Sequence, residues 1–144
     1  MPSLQTGTAI EGNADAVWAT LMDFDAYPEW NPFIREISGR PVEGSQLTVR
    51  LQAPGHKPMT LRPTVTTAEP GRSFSWLGKL WTKGLFDGHH HFRIEERADG
   101  MALFTHFEEF GGLLAPILMR IIGDDTRAGF ELMNDALKER VERR

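Results

Sequence analysis

The chain has 144 residues, with 16 basic and 20 acidic side chains and a formal net charge of −4. That length suits one domain, since single cores typically run about 100–150 residues, and a content of 40% apolar and 25% charged residues is ordinary globular composition. The slight acidity argues against a nucleic-acid partner, which would call for a basic face, and the lack of cysteine excludes disulfides, thiolate nucleophiles and cysteine-based zinc sites. A cysteine-free chain fits a reducing compartment. Met1-Pro2-Ser3-Leu4-Gln5 has neither the basic flank nor the apolar run of a signal peptide. The longest apolar stretch, Leu113 to Ile122, holds Pro116 and Arg120 and covers about half a bilayer span. The expectation is a cytoplasmic single domain over residues 1–144 with no integral membrane association.

Alternation of Leu4, Thr6, Thr8 and Ile10 predicts a first strand, ended by Gly12-Asn13. Asn13 can accept from the free amides of a following helix, where Val17, Trp18, Leu21 and Met22 share one face. Asp23 is read as the cap of a second short helix that stops near Tyr27, because Pro28 disfavours helical geometry before it. Trp30-Asn31-Pro32-Phe33 then reads as an extended turn into a strand from Phe33 to Ser38. Further strands are expected near Gln46–Ala53, Met59–Ala68, Ser73–Trp81, Phe86–Arg97 and Met101–Phe110, with connections short enough for hairpins. Pro63 falls inside one of these runs and implies an edge or a bulge there. After Gly111-Gly112 the period becomes helical, with Pro116 in the first turn. Gly123-Asp124-Asp125 is expected to break or bend this helix, Asp124 capping a new start, and Phe130, Met133, Leu137 and Val141 form its apolar stripe. The order is strand, two helices, six strands and one long helix, an α+β domain.

A sheet covered on one face should alternate apolar-in and polar-out. Phe86, Gly88, His90, Phe92 and Ile94 then point inward, while His89 and His91 face solvent. Phe74, Trp76, Gly78 and Leu80 are inward on the preceding strand, as are Leu47, Val49 and Leu51 on an earlier one. The last strand is ambiguous by alternation. A two-residue Asp99-Gly100 turn sets Ala98 opposite Met101, whereas a three-residue Ala98-Asp99-Gly100 loop with Gly100 left-handed sets Arg97 there. The longer loop turns Phe104, His106, Glu108 and Phe110 inward, with His90 facing Glu108 and Phe92 facing His106.

The stretch Val17-Trp18-x-x-Leu21-x-Asp23-Phe24-x-x-Tyr27-Pro28-x-Trp30-Asn31-Pro32-Phe33-Ile34 closely resembles the opening of START-like, or SRPBCC, proteins. It is most similar to the polyketide cyclase/dehydrase-related branch. Phe74-x-Trp76-x-Gly78, Phe86-x-Gly88-x-His90-x-Phe92 and Thr105-His106-x-Glu108-x-Phe110-x-Gly112-Leu113 are similar to the same branch, so the resemblance covers essentially the whole chain. It implies a helix-grip fold, in which a curved antiparallel sheet wraps the long C-terminal helix and encloses a cavity. It also implies a small hydrophobic partner, lipid-, sterol- or polyketide-like, although some relatives act on proteins instead. The resemblance favours the three-residue loop.

On that register His90, His106 and Glu108 converge on one hairpin face. The plain reading is a hydrogen-bonded group that satisfies polar atoms in a cavity wall or orients a ligand. The sharper one is a catalytic acid–base pair, with His90 or His106 as base and Glu108 as partner, able to enolise a polyketide-like substrate or assist loss of water. The same three could offer two imidazoles and a carboxylate to a metal. No group that would hold such ligands in place is legible in the sequence, and neither a metal nor any other cofactor is expected. The His89-His90-His91 run has the look of a metal tract, but alternation splits it between two faces. Trp30, Phe74, Trp76, Phe92, Phe104 and Leu118 join the polar three as expected ligand contacts, Trp30 near the cavity mouth by the resemblance. Leu114, Ile117, Leu118, Met119 and Ile121 nearly ring the start of the last helix with apolar groups. Burial explains most of them, and a remainder could form a lid hinged at Gly111-Gly112 and Gly123, or a homodimer or membrane contact. Three functions stay open: a carrier of a small apolar molecule, a cyclase/dehydratase-like enzyme, and a protein-interaction module.

Overall fold

The structure is a computed structural model that describes residues 2–80 and 84–143, Leu80 by its backbone alone. Trp81 and the inward side chain expected at Leu80 lie outside the described residues. Strand β1 (Ser3–Glu11) leads through Asn13 into helix α1 (Ala14–Met22). Asn13 Oδ1 accepts from the Ala16 amide at 2.8 Å, which satisfies one of the donors a helix start leaves free. A 3-10 turn, Phe24–Ala26, then runs into α2 (Tyr27–Trp30). Two expectations fail here. The Asp23 side chain makes no cap bond, and Pro28 stands in the first turn of α2 instead of following a helix end. Proline lacks only an amide that a first turn does not use. Tyr27 is held helical by its burial and by its hydroxyl, which donates to the Leu21 carbonyl at 2.7 Å.

Strands β2 (Ile34–Ser38), β3 (Thr48–Leu51) and β4 (Met59–Leu61) pair in that order as a small antiparallel sheet. Strands β5 (Thr64–Glu69), β6 (Ser73–Leu80), β7 (Phe86–Glu96) and β8 (Met101–Gly111) join β1 in a curved five-stranded antiparallel sheet ordered β1-β8-β7-β6-β5. The run expected as one strand from Met59 to Ala68 is therefore two, divided at Arg62-Pro63. Pro63 cannot donate to a ladder, so the chain uses it as the crossing point between sheets. Its carbonyl still accepts from the Leu47 amide at 2.8 Å.

Helix α3 (Ala115–Glu142) is a single 28-residue element. The expected break at Gly123-Asp124-Asp125 does not occur, and Asp124 caps nothing. Phe130, Met133, Leu137 and Val141 are buried as their spacing predicted. Packing of that stripe along the sheet outweighs the weak helix propensity of one glycine, which is about 1 kcal/mol. Polar contacts fasten α3 to β1: Arg127 donates to the Gln5 carbonyl at 3.0 Å and Lys138 to the Ala9 carbonyl at 2.9 Å. The start of α3 is pinned as well. The Leu113 and Leu114 amides donate to the Gly84 and Leu85 carbonyls at 3.0 and 2.9 Å, so the Gly111-Gly112 segment is tied down at the place read as a hinge. Ile117 and Ile121 remain exposed beside Leu113. Among the described residues no helix is long and apolar enough to cross a membrane.

Gly123 offers a direct test of the continuous helix. A Cβ there would meet only Met119 Cε, at an ordinary 3.6 Å. Gly123→Ala is expected to stabilise the protein by about 0.5–1 kcal/mol, raising the melting temperature by about 2–4 °C. A lower melting temperature in a calorimetric scan would count against an unbroken α3.

Candidate functional site: a cavity backed by a buried histidine pair

The inward face of the last hairpin is decided at its turn. The Arg97 amide donates to the Met101 carbonyl at 2.8 Å, and Gly100 adopts φ 81°. A three-residue Ala98-Asp99-Gly100 loop thus sets the register, with Asp99 Oδ1 accepting from the Met101 amide at 3.1 Å. His90 stands opposite Glu108 and Phe92 opposite His106. All four side chains consequently share the concave face.

Both histidines are sealed inside. His90 is 2% exposed and His106 0%. Their Nε2 atoms lie 2.7 Å apart, so one ring must donate to the other. The surroundings settle which. Asn134, from α3, donates through Nδ2 to Thr6 Oγ1 at 2.8 Å, and Thr6 donates in turn to the His106 carbonyl at 2.9 Å. That arrangement presents Asn134 Oδ1 to His106 Nδ1 at 3.0 Å, so Nδ1 carries the hydrogen. Burial, and then the neighbouring His90, hold the His106 imidazole well below its usual pKa, so the ring is neutral and its Nε2 is a lone pair. His90 must donate from Nε2. On its other side His90 Nδ1 lies 3.2 Å from Glu108 Oε1. The assembly is a continuous polar chain from Thr6 through Asn134 and the two histidines to Glu108.

The pairing leaves no common centre for a metal, because the two histidine Nε2 atoms point at each other. Among the described residues, the donor set that does converge is His89, His91 and Glu109 on the opposite face.

Glu108 links this polar chain to a cavity of about 290 Å³ between the two sheets and the first half of α3. Ligand pockets commonly run from about 300 to 1,000 Å³, so this one suits a small molecule. Its walls are mostly apolar, and Glu108 is the carboxylate among its lining residues. Trp76 forms part of the wall and stacks flat on His90, ring centroids 4.9 Å apart at 19°. Gly88 also lines it, and a Cβ at that position would overlap the Glu108 carboxylate. The glycine in Phe86-x-Gly88-x-His90 is thus the space in which the acid sits. At the rim, His56 Nε2 contacts Asp125 Oδ2 at 2.8 Å, joining the loop after β3 to α3.

Of the residues read as ligand contacts, Trp76, Glu108 and Leu118 line this cavity. His90 and His106 stand behind it as described. Phe74, Phe92 and Phe104 are fully buried in the core, and Trp30 packs on Tyr27 with centroids 5.2 Å apart, away from the lining. Sequence reasoning missed Asn134, the residue that orients His106. The signal was present: Asn134 falls between Phe130 and Leu137 on the buried stripe, where a polar group needs a partner. Ile122 and Thr126 were missed too, although they follow Leu118 at helical spacing. Phe33, His56 and Lys57 come from loops, where no period marks an inward face.

A curved antiparallel sheet closed over a long C-terminal helix around an apolar cavity defines the helix-grip class of START-like proteins. The chain belongs to the family described as polyketide cyclase / dehydrase and lipid transport, whose model matches residues 1–142. Solved structures agree. A START superfamily protein from Mycobacterium smegmatis superposes with a TM-score of 0.72 at 18% identity, covering 98% of this chain and 97% of its own. The Zhui aromatase/cyclase from Streptomyces sp. R1128 gives 0.75 at 14% identity, covering 99% and 94%. A norcoclaurine synthase point mutant from Thalictrum flavum, in complex with a transition-state analogue, gives 0.73 at 12% identity, again covering 99% and 94%. At such identities the likeness is one of fold. No curated protein matches the sequence.

Proposed function

We propose that this protein binds a small, largely apolar molecule in the cavity between the sheet and α3, with Glu108 engaging the polar group of that molecule. The observation that carries this reading is a single carboxylate, seated on a buried histidine pair, in a mostly apolar wall. Apolar surface supplies most of the affinity of such a pocket, and a few fixed polar atoms supply orientation. The family description, which names lipid transport, supports the same class of ligand.

A second reading rests on the same geometry: a carboxylate and an imidazole 3.2 Å apart at a cavity wall are the pair of groups that general acid–base chemistry uses. An aromatase/cyclase among the structural relatives lends this reading a precedent on the same fold. The two readings separate on His90→Gln: a carrier keeps its complement of bound molecule, whereas an enzyme keeps binding and loses turnover.

The first test uses N-phenyl-1-naphthylamine, a neutral apolar fluorophore, together with native mass spectrometry of the purified chain. Saturable binding of one probe per chain is expected, abolished by Leu118→Trp, which fills the cavity from α3. A co-purifying adduct would give the ligand class by its mass. Probe binding that survives Leu118→Trp in a folded protein would rule out use of this cavity.

A further inference from the structure

The outer face of β7 carries a second group of histidines that the cavity does not use. Alternation places His89 and His91 there, two residues apart on one strand and on the opposite side of the sheet from His90. The β7–β8 register sets Glu109 directly across from His89. One donor atom from each of the three residues lies within 4.8 Å of the others. His91 Nε2 is 3.1 Å from Glu109 Oε1, and the two imidazole rings have centroids 4.1 Å apart.

We propose that His89, His91 and Glu109 form a three-ligand site for a divalent transition-metal ion, of the class of Zn²⁺, on the outer face of the sheet. Two neutral-nitrogen donors and one carboxylate suit such an ion better than Mg²⁺ or Ca²⁺, which take oxygen ligands. Bonds of about 2.0–2.2 Å from nitrogen or oxygen place tetrahedral donors roughly 3.3 Å apart. The His91–Glu109 separation already matches that spacing, and a His89 ring nitrogen lies within 4.8 Å of both donors.

The donors are also held in place. His91 stacks flat on Phe107, centroids 4.4 Å apart at 2°, and Arg93 lies over the same Phe107 ring at 5.0 Å. His89 Nε2 is 2.9 Å from Thr66 Oγ1, itself bonded to the buried Ser75 hydroxyl at 2.7 Å. Outer partners of this kind orient metal-binding imidazoles in general. Three protein ligands leave at least one coordination position to solvent or to a further ligand. With no cysteine in the chain, a thiolate cannot compete for the ion.

The test is calorimetric titration of the chelator-treated full chain with ZnCl₂, followed by visible absorption with Co²⁺. One ion per chain with micromolar affinity is expected, together with Co²⁺ bands of a four- or five-coordinate site. His89→Ala and His91→Ala should each weaken binding by about tenfold or more, and Glu109→Gln should alter the Co²⁺ spectrum. All three side chains are partly or fully exposed, so circular dichroism should show the fold retained in each variant. Absence of stoichiometric binding, or affinity unchanged in the His89→Ala/His91→Ala double variant, would overturn the proposal.

Discussion

Acidification from pH about 7 to pH about 5 is expected to weaken the folded state steeply, and His106 is the principal reason. Its ring is wholly buried, and burial followed by the neighbouring His90 holds its pKa well below the ordinary 6.5. The folded chain keeps His106 neutral, while the unfolded chain protonates it below about 6.5. The unfolded state then binds more protons than the folded one. Stability is therefore fully present above about 6.5 and is lost as pH falls, by about 1.4 kcal/mol per pH unit from this group. His91, half-buried and lowered mainly by burial, acts in the same direction. Urea midpoints measured across this range should fall with acid in the wild type and fall less in His106→Gln. An equal pH dependence in both proteins would show that His106 is not held neutral.

Phe130→Ala is expected to be the most damaging single truncation, costing about 3–5 kcal/mol. Phe130 is 0% exposed and stacks on His106 with centroids 4.1 Å apart at 11°. It also meets the edges of Phe33 at 5.5 Å and of His90 at 5.2 Å. Losing the ring opens a hole where α3 docks. The docking has no slack to close it, because a Cβ on the adjacent Gly129 would already come within 2.6 Å of the Phe33 ring. Water entering that space would rehydrate His106 and let its pKa rise toward the ordinary value, flattening the acid dependence as well. Leu132→Ala, on the exposed side of the same helix, should change stability by less than about 0.5 kcal/mol. A Phe130→Ala loss below about 1 kcal/mol in equilibrium urea unfolding would contradict this account of how α3 docks.

These two predictions meet at Asn134, which shows where the sequence stopped being informative. Its position on the stripe is set by helical period and can be read from residue spacing. Its partner cannot, because His106 lies on a strand 28 residues earlier and Thr6 lies 128 residues earlier. Hydrogen bonds across such separations leave no periodic trace. The same holds for His56 and Asp125, joined at the cavity rim from a loop and a helix.

What the sequence determined by itself follows from local periods and from chain chemistry. Period two in β7 placed His90 inward and His89 and His91 outward, because one face of that sheet is buried and the other is not. Period three to four in α3 marked Phe130, Met133, Leu137 and Val141, and the family motifs implied the helix-grip topology. Tertiary structure decided the rest. It kept α3 continuous through Gly123, since burial of a whole helix face outweighs one poor helix former. It moved the chain between sheets at Pro63, began a helix at Pro28, and chose the three-residue loop that turns His106 and Glu108 inward. It also separated the aromatic residues that fill the core, Phe74, Phe92 and Phe104, from Trp76, which faces the cavity. Both kinds are apolar and inward on a strand. Whether such a side chain meets another side chain or open space depends on segments far away in the sequence, the small sheet and α3, which pack opposite it and which no local period records.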